Sequence, residues 1–108
     1  MLPFSNFTVK AQEAVRKANE LTIERGQNQV DVLHLLAALV LQDESIVISV
    51  LDKLEVDINF LSDTIFENMS EVERSSVVTP TYQVYITPEL SRVLEISHRV
   101  AQVLKDDY

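Results

Sequence analysis

The 108-residue sequence contains no cysteine, one glycine and three prolines. The lack of cysteine excludes a disulfide framework and any zinc site built on thiolates. So few glycines and prolines argue against an all-β fold, which needs many tight turns. The first six residues hold neither a basic segment nor an apolar core, so no secretory signal is recognisable. These absences fit a cytoplasmic protein, and we predict that location.

Basic residues are also scarce, with nine Lys and Arg against 17 Asp and Glu and a net charge of −8. Affinity for a nucleic-acid backbone comes from clustered Lys and Arg. The sequence has no such cluster, so we predict no nucleic-acid partner. Acidic residues concentrate over 55–73 without any basic residue among them. This run is either a solvated face or a docking surface for a basic partner.

The longest apolar stretch, residues 32–41, contains only one polar residue, His34. Leu and Ala dominate it, which favours a helix, and a helix that is apolar on every side must be enclosed by others. The stretch is too short to cross a bilayer, which takes about 20 apolar residues, so we predict no membrane span. We predict a core helix capped by Asp31, in which five leucines provide most of the packing energy. His34 fits a buried residue bonded to the backbone better than a metal ligand or base.

Amphipathic helices are predicted on both sides of the core helix. The first begins at Thr8 and ends near Arg25, where Gly26 is a favourable stop. Residues 45–54 suit either a strand or a short helix, and we favour the helix because no partner strand is evident. Its predicted inner face consists of Val47, Val50, Leu51 and Leu54.

A fourth helix is predicted to begin at Asp57, with its apolar periodicity ending at Ser70. After a loop and an extended segment that includes Ile86, the sequence Thr87-Pro88-Glu89 is a strong helix start. The inner face predicted for the fourth helix consists of Ile58, Leu61, Ile65 and Met69.

The last helix repeats the first after a shift of 79 residues, with Thr8 mapping to Thr87 and Ala14 to Val93. We therefore predict an all-α fold with a first four-helix repeat over 7–70, a connecting loop over 71–86 and a partial second repeat over 87–108. The apolar stripe of the last helix needs a covering element. We expect the chain to be a piece of a longer protein; the alternatives are a shortened stand-alone relative and, for the uncovered surface, a homodimer.

Several of these residues together resemble a known family. Phe7-Thr8, the run from His34 to Leu39 and Ile86-Thr87-Pro88 are similar in type and spacing to the amino-terminal domain of Clp ATPases, the ring-forming AAA+ unfoldases and disaggregases. The likeness covers nearly the whole chain. It implies a domain of two four-helix repeats that lies ahead of the ATPase rings, receives substrates and adaptor proteins, and has no catalytic activity of its own.

The resemblance also implies site residues. In ClpB-like members, the residues that match Thr8 and Asp106 contribute to substrate handling. In ClpC-like members, residues near Phe4 and Tyr85 line a surface that receives ligands. From the residues alone, Thr8 is equally well explained as a helix cap.

Apolar side chains flank both predicted helix starts and are compatible with a binding groove that has a polar lip. The alternative for Phe7 is that it only packs against its own helix. The chain also departs from the family, because Val32-Leu33 replaces a Thr-Glu pair that helps ClpC-like members read phosphorylated arginine. The predicted groove residues are Phe4, Phe7, Tyr82, Tyr85 and Ile86.

No catalytic pattern is present: the sequence lacks a Walker A motif, a Gly-rich phosphate loop and a Gly-x-Ser-x-Gly elbow. We predict no catalytic, cofactor or metal site in this chain, with ATP and Mg²⁺ confined to the ATPase domains that the resemblance implies. The predicted function is binding of unfolded substrates and adaptors for a Clp-type unfoldase, with a Clp-type protease in the full assembly. The alternative is a free-standing interaction or regulatory domain without an ATPase.

Overall fold

The computed structural model describes residues 7–42, 46–75 and 84–104, which form five helices and one pair of short strands. The predicted all-α fold is confirmed, with the strand pair as a small addition. In chain order the elements are α1 (Val9–Glu24), β1 (Gln29–Val30), α2 (Val32–Leu41), α3 (Ile46–Lys53), α4 (Ile58–Ser75), β2 (Tyr85–Ile86) and α5 (Pro88–Val103).

Helices α1 and α5 begin in the same way, as the repeat predicts. The hydroxyl of Thr8 accepts from the Ala11 N–H at 3.1 Å, and that of Thr87 accepts from the Leu90 N–H at 3.2 Å. Both threonines are extended, with φ of −63° and −66°. Each satisfies an N–H that the first turn of a helix leaves without a partner. The two threonine-started segments therefore share one local structure, which supports the internal repeat.

Helix α1 ends at Glu24, and Gly26 follows as the predicted stop. Gly26 has φ of +72°, and its N–H donates to the Ile23 carbonyl at 3.0 Å, while the Gln27 N–H donates to the Thr22 carbonyl at 2.9 Å. This pair of bonds satisfies carbonyls of the last turn and needs a left-handed residue, which glycine adopts at little cost.

Helix α2 lies in the core, as predicted, and its Leu33, Leu35 and Leu36 pack against the buried cluster. Its buried side chains are His34, Ala37, Ala38 and Val40, whereas the leucines are half-buried and Leu41 is exposed. The extensive contact of α2 with α1 explains this. Because α1 presents the buried alanines 14 and 18, small side chains meet and the two backbones approach closely.

Helix α3 confirms the helical interpretation of residues 46–53, but its predicted inner face is partly wrong. Val50 and Leu54 are exposed, and Ile48 packs against the core instead. Leu54 belongs to the turn that ends the helix, in which Glu55 has φ of +60° and the Val56 N–H donates to the Leu51 carbonyl at 3.0 Å. This turn leads directly into α4 and leaves Leu54 on the outside.

Helix α4 begins as predicted, because the Asp57 carboxylate accepts from the Phe60 N–H at 3.1 Å. The predicted inner face is confirmed by the buried Ile65 and Met69. The helix continues to Ser75, however, five residues beyond the point where apolar periodicity stops. In this last part the side chains of Ser70 and Glu73 face the protein and bind Arg25. These polar contacts hold the last turns of the helix in place of apolar residues at helical spacing.

The two strands pair in parallel, with Gln29 opposite Tyr85 and Val30 opposite Ile86. They bring the start of α5 next to the start of α2. The extended segment predicted before α5 is thus confirmed for residues 85–86, while Tyr82 lies outside the described residues. The boundaries of the repeats and of their connection stay predictions.

Across residues 7–42, 46–75 and 84–104, no single helix has the length and apolarity to cross a membrane; α2 and α3 reach that length only together, bent by 87°.

Candidate functional site

A groove of about 650 Å³ lies between α1, the strand pair and α5. Polar residues of α1 form one wall, and apolar residues of the strands and α5 form the floor and the other wall. This combination suits an apolar ligand that carries a few polar groups. The lining residues are Gln12, Val15, Arg16, Asn19, Val30, Val84, Tyr85, Ile86, Leu90 and Ser91.

Two of the six predicted site residues border this groove. Tyr85 is 52% exposed and Ile86 is 37% exposed, although both lie in a paired strand. Large apolar side chains that stay accessible beside a concave surface are typical of protein contact sites. Tyr85 and Ile86 therefore stay accessible to solvent beside the groove.

Of the other four predicted residues, Phe7 and Thr8 do not line the groove. Phe7 packs against the core, and its carbonyl accepts from the Gln12 side chain at 2.9 Å. The Thr8 hydroxyl caps α1. Phe4 and Asp106 lie outside the described residues.

Sequence reasoning missed the wall that α1 contributes. Gln12, Arg16 and Asn19 recur at spacings of four and three, so they share one face of the helix. Val15, which belongs to the apolar stripe of α1, lies next to this polar face and also lines the groove. The spacing is visible in the sequence, but the position of β2 beside this face, 66 or more residues further along, is not.

A chain of hydrogen bonds anchors the floor of the groove. The Thr87 hydroxyl, which caps α5, donates to the Asp31 carboxylate at 2.8 Å, and that carboxylate accepts from the Val32 N–H at 2.8 Å. In return, the Asp31 N–H donates to Nδ1 of His34 at 3.0 Å. The caps of α2 and α5 are therefore joined directly, which holds β2 in place beside β1.

On the far side of His34 a partly buried ion pair continues this cluster. Nε of Arg25 donates to both oxygens of the Glu73 carboxylate at 2.8 Å, and Nη2 of Arg25 donates to the Ser70 hydroxyl at 2.9 Å. The guanidinium also lies 5.7 Å from the centre of the Phe66 ring. Its bonds to the carboxylate raise the pKa of Arg25. The pair connects the end of α1 to α4, so Glu73 is not part of a solvated acidic face.

His34 confirms the prediction of a buried histidine bonded to the backbone. It is 7% exposed, and its Nε2 lies 3.6 Å from a Glu73 oxygen, too far for a good hydrogen bond. Burial lowers the pKa of His34 more than the nearby carboxylates raise it. Because Nδ1 accepts the Asp31 N–H, the ring must be neutral there, with its proton on Nε2. Within the described ranges, no group of three or more His, Cys, Asp or Glu residues could hold a metal ion.

The lowered pKa of His34 predicts a pH-dependent stability. Folding favours the neutral ring, so the free energy of unfolding should decrease as the pH falls below about 6.5, where the unfolded chain takes up the proton first. Urea unfolding of the parent and of His34→Gln between pH 8 and pH 5 measures this. The stability advantage of the parent should shrink as the pH falls; an advantage that stays constant or grows would show that His34 does not titrate in this way.

Comparison with known proteins agrees with this geometry. The family model of the Clp repeat (R) N-terminal domain matches residues 6–108. The chain is similar to the chaperone protein ClpB of Rhodopirellula baltica, at 32% identity over 94% of this chain and 11% of the relative. It is also similar to the ClpB chaperones of Bacillus anthracis, at 29% identity over 99% of this chain, and of Porphyromonas gingivalis, at 29% over 96%, with 12% of each relative covered.

The chain spans about an eighth of the length of these relatives. The match to the family model covers nearly all of the chain. It includes both threonine-capped helices and the strand pair that borders the groove. The chain therefore belongs to the Clp repeat (R) N-terminal domain family.

Proposed function

We propose that this chain is the substrate- and adaptor-binding amino-terminal domain of a Clp-type ATP-dependent unfoldase. Its groove binds apolar segments that unfolded proteins expose. The observation that carries this proposal is the accessible pair Tyr85 and Ile86 in a groove with a polar wall, in a chain whose relatives are chaperones. Such a surface gains free energy by covering apolar side chains and does not require a fixed sequence.

In this proposal the domain contributes binding and no catalytic group. ATP and Mg²⁺ act in other parts of the parent protein, because the relatives extend well beyond the matched region. The parent assembly works in the cytoplasm and passes substrates to a Clp-type protease or back to solution. Leu33 stands where the resemblance expects an acidic residue, so recognition through the groove is favoured over recognition of phosphorylated arginine at the start of α2.

The alternative is a free-standing interaction or regulatory domain of the same fold. The gene distinguishes the two: an open reading frame that continues past the codon for Tyr108 into a Walker A motif supports the unfoldase, and a stop codon there supports the alternative. Both alternatives use the same groove.

Substitution of Tyr85 tests the groove. Fluorescence anisotropy with labelled, reduced and carboxymethylated lactalbumin, a permanently unfolded protein, measures the Kd. Tyr85→Ala should raise the Kd about tenfold, since a central aromatic residue contributes about 1–2 kcal/mol to binding. Its melting temperature should change little, because Tyr85 is half exposed.

Val103→Ala is the matched control, because Val103 is exposed on α5 and does not line the groove. It should bind like the parent. Thr8→Ala separates the two explanations of Thr8: a role as cap alone lowers stability by about 1 kcal/mol and leaves the Kd unchanged. Equal affinities for the parent and Tyr85→Ala would contradict the proposed function.

Self-association of the 108-residue chain is a further expectation. One face of α5 is exposed, although the face of α1 that it matches by the 79-residue shift is covered by α2. Light scattering should show a mass that rises with concentration, and Val100→Glu should suppress the rise. A monomeric mass at millimolar concentration would contradict the homodimer. Leu90 and Leu94, which the apolar stripe of a partial repeat predicts to be uncovered together with Val100, are buried instead. The exposed residues of this face are Val93, Ile96, Val100 and Leu104.

A further inference from the structure

One edge of β2 is paired with β1 and the other carries no strand among the residues described. The N–H groups of Tyr85 and Thr87 donate to the carbonyls of Asn28 and Val30 at 2.8 and 3.0 Å. Successive residues of a strand direct their backbone groups to opposite edges. The N–H and C=O of Ile86 therefore point away from β1, and an open edge of this kind is a template for pairing with another extended chain.

Ile86 belongs both to the groove and to this open edge. It lines the groove together with Val84, Tyr85 and Val30, its partner in β1. A ligand in the groove therefore meets the residue whose backbone groups form the open edge, with apolar side chains beside it.

Of the described residues that line the groove, Arg16 alone is charged. Its side chain lies on the exposed face of α1, in a chain whose net charge is −8. The charge that these lining residues give the groove is therefore positive, opposite in sign to the net charge of the chain. A carboxylate on the ligand complements it.

We propose that the groove binds its substrate as an added β-strand: an extended, apolar peptide pairs with Ile86 along the open edge of β2, and a carboxylate of that peptide lies against Arg16. Backbone hydrogen bonds supply affinity without sequence preference, and the groove selects alternate apolar side chains. This inference rests on the proposed function and names the conformation and charge of the substrate.

Backbone methylation of the ligand tests the strand. The probe is a fluorescein-labelled eight-residue peptide of alternating valine and threonine with one central glutamate and an amidated end. Two versions are N-methylated at alternate residues, one at the odd positions and one at the even positions. One version should lose about tenfold or more in affinity, as expected for one or two lost hydrogen bonds, and the other should keep its affinity within about threefold.

Substitutions in the protein test the same bonds from the other side. Ile86→Pro removes the outward N–H and keeps the two bonds to β1, which Tyr85 and Thr87 donate. It should weaken the unmethylated peptide about tenfold or more, whereas the matched Ile86→Val, which keeps the N–H and loses one methylene group, should weaken it no more than about fourfold. The methylated peptides keep the test decisive if Ile86→Pro does not fold.

Charge is tested separately. Arg16→Gln should weaken the glutamate peptide about threefold at low salt and have little effect at 0.5 M NaCl. A second peptide has glutamine in place of the glutamate and a free carboxyl end in place of the amide. If Arg16→Gln weakens the binding of this peptide as well, a chain terminus can supply the carboxylate; if it does not, the glutamate side chain supplies it. Equal effects of Arg16→Gln on charged and uncharged peptides would overturn the carboxylate contact.

The outcomes separate this inference from the proposed function. Suppose that the unmethylated peptide binds, that Tyr85→Ala weakens its binding, and that both methylated peptides bind with equal affinity. The proposal of an added β-strand is then wrong, and the proposal that the groove binds unfolded protein stands. If neither the peptide nor unfolded lactalbumin binds in a manner that depends on Tyr85, the proposed function itself is wrong.

Discussion

Ala38→Asp is expected to abolish the cooperative unfolding of this domain. Ala38 is fully buried on α2, where the alanines of α1 approach it. Lys17 borders the same small cavity, but its side chain is 45% exposed, so it compensates a carboxylate at this position only in part. A poorly compensated charge in a core costs about 3–5 kcal/mol or more. A domain of this size has a total stability of about 5–15 kcal/mol, and the larger side chain also separates the two helices.

Thermal unfolding followed by circular dichroism and calorimetry measures this effect. The variant should show no sharp transition and no unfolding enthalpy peak, while Leu41→Asp, on the exposed side of the same helix, should retain both. Leu36→Asp, at a half-buried position, should have an unfolding enthalpy between those of Ala38→Asp and Leu41→Asp. A melting curve of Ala38→Asp that matches the parent would mean that α1 does not pack on α2 through this alanine.

Glu73→Ala is expected to destabilise the domain by about 2–3 kcal/mol. It removes the carboxylate that accepts two bonds from Arg25 and faces the buried Nε2 of His34. Breaking a fully buried pair costs about 3–5 kcal/mol, and the value is lower here because the Arg25 side chain is 26% exposed. Urea unfolding at pH 7 measures the change.

Glu71→Ala is the control, because Glu71 is an exposed acid on the same helix. Its effect should stay within about 0.5 kcal/mol. The double variant Arg25→Met, Glu73→Leu should recover much of the stability that Glu73→Ala loses, since an apolar pair leaves no charge without a partner. If Glu73→Ala and Glu71→Ala destabilise equally, the ion pair does not contribute to stability.

The cluster around His34 explains how the groove keeps its form. Thr87 binds Asp31 directly after β2 ends, and Asp31 binds His34, which lies against Glu73. The bonds from Thr87 to Asp31 and from Asp31 to His34 attach the start of α5 to α2, and His34 in turn packs against Glu73 of α4. Among the residues described, neither α2 nor α4 lines the groove. A binding strand held from behind in this way stays in place when a ligand contacts it.

Features set by neighbouring residues were predictable from the sequence. The caps at Thr8, Asp31 and Thr87 and the stop at Gly26 each depend on bonds within a few residues, so the local sequence contains the whole cause. The repeat was equally visible because it compares the chain with itself.

Features set by distant residues were not predictable. The end of α4 depends on Glu73 meeting Arg25, 48 positions away, and apolar periodicity contains no signal for such a contact. The half-buried state of the leucines in α2 depends on how closely α1 approaches. The groove combines α1 with β2 across more than 60 residues, so Tyr85 and Ile86 could be proposed while Arg16 could not.

The central claim is that unfolded polypeptide binds between α1, β2 and α5. Amide chemical shifts of the ¹⁵N-labelled domain, recorded by NMR during titration with reduced, carboxymethylated lactalbumin, test it most directly. We expect the largest shifts at Gln12, Arg16, Tyr85 and Ile86, with little change at the exposed Phe60 on α4. Shifts that concentrate around Phe60 and leave the groove unchanged would contradict the account.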